Sequence, residues 1–130
     1  LRDLAAARII AFHPASEGGV MIVVIFEVIP NEGRAHEYFD LAQELAPELD
    51  KIDGFISVER FESIADKGKF LSLSTWRDEA AVEAWYRHAV HRRAQARGKE
   101  RIFKDFRIRV ASVLRDYDKA SRQPSAAAAR

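Results

Sequence analysis

The stretch I-V-V-I-F-E-V-I, from Ile22 to Ile29, leaves this chain few ways to fold. In a strand, Ile22, Val24, Phe26 and Val28 point to one face and Val23, Ile25, Glu27 and Ile29 to the other. Both faces are apolar except at Glu27, so both need cover. A carboxylate set among Val23, Ile25 and Ile29 loses hydration in its charged form and is drawn toward accepting a proton near neutral pH, which makes Glu27 a candidate base. The alternative is an ion pair with Arg107 or Arg109, which would keep the carboxylate ionised and make it structural.

The rest of the chain reads as elements around that strand. Pro30 stops it and Asn31 is placed to cap a helix whose apolar face carries Ala35, Tyr38, Phe39, Ala42, Leu45 and Leu49, with Pro47 ending or kinking its last turn. Asp53-Gly54 turns the chain into a strand from Phe55 to Ser63, and Asp66 to Gly68 marks a hairpin into a strand from Phe70 to Trp76. Asp78 is a suitable N-cap for a second helix, with Glu79 in its first turn. Gly98 is the expected stop of that helix. Phe106, Ile108 and Val110 then alternate with Arg107 and Arg109 in a final strand to about Leu114. The order strand, helix, strand, strand, helix, strand is the split βαβ arrangement, an α+β, ferredoxin-like βαββαβ fold with an antiparallel sheet. Helices on one face leave the other bare, and the final strand, through Phe106, Ile108 and Val110, is expected to supply cover by reaching to another subunit. A homodimer follows, its two sheets forming a closed α+β barrel.

The segment Ser74 to His91 holds both tryptophans and two of the four histidines. Val82, Trp85, Tyr86 and Ala89 recur at helical spacing and form a stripe expected to lie on the sheet. His88, His91 and Gln95 fall on one flank of the same helix, at the edge of the stripe, where they are placed to line a pocket. The same spacing also suits core aromatics and surface histidines.

Composition narrows the function. The 130 residues are 48% hydrophobic and 32% charged, with no apolar run long enough for a membrane span, so a soluble single domain is expected with no membrane partner. The domain is placed at residues 21–117, after an N-terminal extension, 1–20, and before a flexible tail, 118–130. The absence of cysteine excludes disulfides, thiolate metal sites and cysteine nucleophiles, and suits a cytoplasmic location. A net charge of +1, with no stacked aromatic motif on the strands, gives no reason to expect nucleic acid. A metal at His88 and His91 would need ligands that the sequence does not place, and no phosphate loop or nucleophile elbow is present.

Several segments, M-I-V-V-I-F-E-V, G-F-I-S-V-E-R-F-E-S, L-S-L-S-T-W-R-D-E-A-A-V-E-A-W, H-R-R-A-Q-A-R-G and F-R-I-R-V-A-S-V-L-R-D-Y, together resemble the antibiotic biosynthesis monooxygenases, a family of dimeric α+β barrels. The resemblance runs from about Met21 to Tyr117. It implies one of two chemistries. In the first, an electron-rich aromatic substrate is deprotonated and itself reduces dioxygen, with no metal or flavin. In the second, haem binds between helices and sheet and is degraded. Trp85 matches the helix tryptophan of the haem-degrading pattern, but Glu27 stands at its strand asparagine and Gln95 near its haem-ligating histidine, so haem is disfavoured and no cofactor is expected. The resemblance thus implies a small aromatic or quinol-like substrate. Glu27 and His91 are the candidate catalytic residues, with Trp85, His88, Trp76 and Phe39 against the substrate. A non-catalytic dimeric binding or stress-response domain is the other reading.

Overall fold

The computed structural model describes residues 20–121. The strand Ile22–Pro30 (β1) lies inside a four-stranded antiparallel sheet, between Phe70–Trp76 (β3) and Phe103–Ser112 (β4), with Phe55–Glu62 (β2) outside β3. The doubly apolar strand is therefore an inner one. The helix Ala35–Asp50 (α1) connects β1 to β2, while Glu79–Arg87 (α2), Ala89–Arg97 (α3) and a π-helical turn at Gly98–Ile102 connect β3 to β4. This is the expected α+β, ferredoxin-like order, with its second helix divided in two.

All helices cover one face of the sheet. Ile22 and Val24 pack with Leu49, Trp76, Val82 and Trp85, and Val28 packs with Tyr38, Leu41, Ala94 and Ile102. Register along β1 sets Val24 beside Val110, Phe26 beside Ile108 and Val28 beside Phe106. These three β4 side chains therefore belong to the helix-covered core. They do not cover the opposite face, as expected of them, because antiparallel neighbours in register share a face. The uncovered face instead carries Val23, Ile25, Glu27 and Ile29 of β1, Leu71 and Leu73 of β3, and Arg107 and Arg109 of β4.

Several boundaries differ from the sequence reading for physical reasons. Asn31 does not cap α1; it ties the loop to the π-helical turn, its backbone N–H reaching the Ile102 carbonyl at 2.6 Å and its side-chain amide the Arg101 carbonyl at 3.2 Å. Arg34 stands at the start of α1 with no side-chain cap. Pro47 sits within α1, which continues to Asp50. Gly98 ends the α-helical stretch as the C-cap of α3, as expected, but the chain goes on from it into the π-helical turn, and a Cβ there would lie 2.5 Å from the Phe103 ring. Asp78 does cap α2, accepting from the Ala81 N–H at 3.0 Å. Gly54 turns the chain at φ 100°, a region closed to most side chains. No helix among the described residues is long and apolar enough to cross a membrane. All but the last residue of the extension at residues 1–20, and most of the C-terminal tail, lie outside the described residues.

Candidate functional site

β3 reads F-L-S-L-S-T-W, and its alternation places Ser72, Ser74 and Trp76 under the helices. Two small side chains there leave the sheet low where Ala42 of α1 and Ala94 of α3 leave the roof high. The result is a chamber of about 140 Å³, walled by Phe26, Leu45, Trp76, Trp85, Phe103 and Ile108 among others. An apolar cavity of roughly 150 Å³ admits a benzene molecule, so this chamber suits a single ring. Its floor is fixed by the Trp76 indole N–H, which donates to Ser74 Oγ at 2.9 Å.

The helical roof is broken at His88. That residue takes an extended backbone (φ −65°, ψ 131°), ends α2, and turns its own ring back to accept from the Val90 N–H through Nδ1 at 3.2 Å, capping α3. Its Nε2 lies 3.4 Å from Glu48 of α1. His91, one turn into α3, thereby swings over the end of α2. Its ring lies 4.5 Å from the Trp85 ring and stacks on Tyr86 at 5.5 Å. Burial pulls its pKa down to about 4, helped by the charge of nearby His88 and opposed by the Trp85 backbone. His91 is therefore neutral at pH 7, and its buried Nδ1 has no hydrogen-bond partner. Burial also pushes the Tyr86 phenol up to about 12, so it is protonated.

Across the chamber, Arg60 of β2 sits beside Ser72 in register and reaches Tyr38 of α1. Burial raises the Tyr38 pKa, while the Arg60 guanidinium opposes that rise. Neither Tyr38 Oη nor Arg60 Nε gains a well-aligned hydrogen bond, and Tyr86 Oη has none. Four buried polar atoms, on Tyr38, Arg60, Tyr86 and His91, thus lack a partner, and all four residues line the one chamber. Buried polar groups are ordinarily paired, so their convergence marks the place where a ligand or water completes them.

The structure sorts the residues singled out in the sequence. Trp76, Trp85, His91 and Gln95 line the chamber. His88 does not; its ring serves as the cap between α2 and α3. Phe39 packs edge-on against Phe70 at 5.0 Å and is 41% exposed, outside the chamber. Ala89 of the expected stripe is also exposed, because the break at His88 rotates it away. Glu27 is separated from Trp85 and His91 by the sheet itself. It lies on the uncovered face, 3.1 Å from Arg109 and 3.6 Å from Lys69, the ion pair that the sequence offered as the alternative to a base. Three chamber residues were not singled out: Tyr38, Arg60 and Tyr86. The first and last were visible only as parts of apolar stripes, and Arg60 as one basic residue in an acidic stretch. Among the described residues, no three His, Asp or Glu side chains gather as a metal-ligand set.

Fold and chamber together define a ferredoxin-like α+β domain with a small apolar chamber under its helices. The family model for antibiotic biosynthesis monooxygenases matches residues 21–97, more than half of the chain, and the chain belongs to that family. It is 41% identical over 93 residues to a protein of Pyricularia oryzae named jasmonate monooxygenase ABM, a match that covers 72% of this chain and 43% of that protein. The chain thus spans less than half the length of that relative. A solved structure from Mycobacterium tuberculosis superposes with a TM-score of 0.67 at 16% identity, over 75% of this chain and 99% of that one. Another, from Nitrosomonas europaea and described as a candidate antibiotic biosynthesis monooxygenase, gives a TM-score of 0.66 at 11% identity, over 74% and 92% of the two chains. At these identities the likeness to the solved structures is one of fold.

Proposed function

We propose that this protein is a monooxygenase that binds one small, electron-rich ring compound, such as a phenol or quinol, in the chamber and lets it react there with dioxygen, without metal or flavin. Family membership and the monooxygenase name of the Pyricularia oryzae relative support the general class. The observation that carries the finer reading is the convergence of four unpartnered polar atoms on a ring-sized apolar chamber. A neutral imidazole whose Nδ1 awaits a donor can accept the substrate hydroxyl proton, because the substrate anion formed beside it offsets the burial that otherwise disfavours the charged ring, and the Arg60 guanidinium in the same chamber favours that anion. The electron-rich anion passes electrons to dioxygen; one oxygen atom becomes a new ring carbonyl, and the other leaves as water with the two hydrogens the substrate gives up. The ring is oxidised to a quinone and dioxygen is reduced, so atoms and electrons balance with no further reductant. Trp85 and Phe26 supply the apolar walls that keep the anion out of bulk water.

The size of the chamber supports a reading without haem. About 140 Å³ is ring-sized, and a tetrapyrrole several times larger would have to displace Trp85 or Phe103 from its walls. The uncovered sheet face, with Val23, Ile25, Leu71 and Leu73 in solvent contact, supports a homodimer formed face to face, which would close the two sheets into a barrel. The test is oxygen uptake with a panel of phenols and quinols, and with jasmonate because of the relative's name, using isotopically heavy dioxygen. One heavy oxygen atom in the product is expected. Tight binding of panel members with no uptake by any of them would make this a binding domain instead.

A further inference from the structure

Among the described residues, the arginines other than Arg60 are accounted for. Arg34, Arg77, Arg87, Arg97 and Arg109 each hold a carboxylate within 2.7–3.2 Å. Arg92, Arg93, Arg101, Arg107 and Arg115 stand in water. Among the described residues, Arg60 alone combines a buried, unpartnered guanidinium nitrogen with the lack of any carboxylate partner. No aspartate or glutamate lines the chamber it enters. Tyr38, its neighbour, does not neutralise it, because burial holds that phenol in its protonated form. Arg60 is half-buried, its Nε is out of water, and no anion of the chain stands beside it, so an anionic ligand would complete it.

We propose that Arg60 and Tyr38 form an anion-recognition site inside the chamber, so that the preferred ligand is a ring compound bearing a carboxylate, held by the Arg60 N–H groups and the Tyr38 hydroxyl. A carboxylate accepts two guanidinium bonds side by side, and charge-assisted bonds of this kind are about twice as strong as neutral ones. The site lies on β2 and α1, whereas His91 lies on α3, so the two polar groups occupy different walls. A ligand anchored by its acid at the first presents its ring to Trp85 and its far end to His91. This deepens the proposed function, and rests on the same chamber, but it fixes the substrate class by charge instead of by the ring alone.

The experiment compares 4-hydroxybenzoate with its methyl ester and its amide, read by quenching of tryptophan fluorescence at pH 7, with no turnover required. The unsubstituted protein should bind the acid at least tenfold more tightly than either neutral compound. Arg60→Gln should abolish that preference, bringing the affinity for the acid down to that for the ester, and Arg60→Lys should retain part of it. Equal binding of acid and ester by the unsubstituted protein overturns the inference, and so does a preference that survives in Arg60→Gln. If Arg60→Gln does not fold, the acid-to-ester ratio in the unsubstituted protein decides alone. The two readings fail separately: an acid preference without oxygen uptake by any compound keeps the anion site and removes the oxygenase, while equal oxygenation of acid and ester does the reverse.

Discussion

The two faces of the sheet handle polar groups in opposite ways. On the uncovered face, Glu27 meets Arg109 at 3.1 Å and Lys69 at 3.6 Å, an acid answered by two bases in reach of water. Under the helices, His91, Tyr86, Tyr38 and Arg60 enter an apolar chamber and leave four buried atoms unanswered. A charge that is satisfied in the folded chain has little left to offer a ligand. A group that folding leaves unsatisfied is available for one, and the cost of leaving it so points to selection for something other than stability.

Substitutions can break or sharpen that contrast, and the largest effect is expected in the packing beneath the chamber. Trp76→Ala removes an indole that is 1% exposed and should cost about 3–5 kcal/mol in urea denaturation. Leu73→Ala, three positions earlier on the same strand and on the uncovered face, should cost much less in a monomer; a loss that grows with protein concentration would show that this face is covered by a second subunit.

Acid comes next. Unfolded, His91 titrates near its ordinary 6.5, and folded it titrates at about 4, so the native state resists the proton. Above pH 6.5 the ring is neutral in both states and nothing is lost. Between 6.5 and 4 the unfolded state gains protons the native state lacks, and roughly 3 kcal/mol of stability goes, fully so below pH 4. The drop in stability from pH 7 to pH 4 should be smaller by about this amount in His91→Gln. Equal drops in the two proteins would place His91 in water.

In turnover, His91→Gln should lower oxygen uptake roughly a hundredfold, about 2.7 kcal/mol in the barrier, with its melting temperature at pH 7 little changed. Glu27→Gln should leave uptake within about threefold. The reverse pattern would transfer the base to the uncovered face and dissolve the contrast between the two. The smallest effect belongs to Arg109→Ala, which leaves Glu27 with Lys69 in a half-exposed pair and should cost less than about 1 kcal/mol in chemical denaturation.

Much of the fold was legible because alternation and breakers say where elements lie. Ile22 to Ile29 declared an inner strand, and Asp78 announced α2 correctly. Alternation even put Glu27 opposite Phe26. With both faces of β1 apolar, however, nothing in the pattern said which face the helices would take, and of the two candidate bases Glu27 lies across the sheet from the chamber while His91 lines it. The break at His88 was hidden for a different reason: neither glycine nor proline marks it, and a histidine that caps the next helix with its own ring looks like any helix histidine. Arg60 was out of reach because its side depends on a register shift between Phe55 and Ser57. One extra residue there reverses which side chains point inward.

Gly98 sets the room behind one wall of the chamber. The Phe103 ring fills the space where any larger residue at 98 would put its Cβ, and that same ring is a wall of the chamber. The glycine is in ordinary right-handed helical geometry, so what it contributes is room. Volume added at 98 must be taken from the chamber by pushing Phe103 inward. The size of the chamber is therefore set in part by a residue that does not line it, and a side chain added at 98 would narrow the space while leaving Tyr38, Arg60, Tyr86 and His91 as they are.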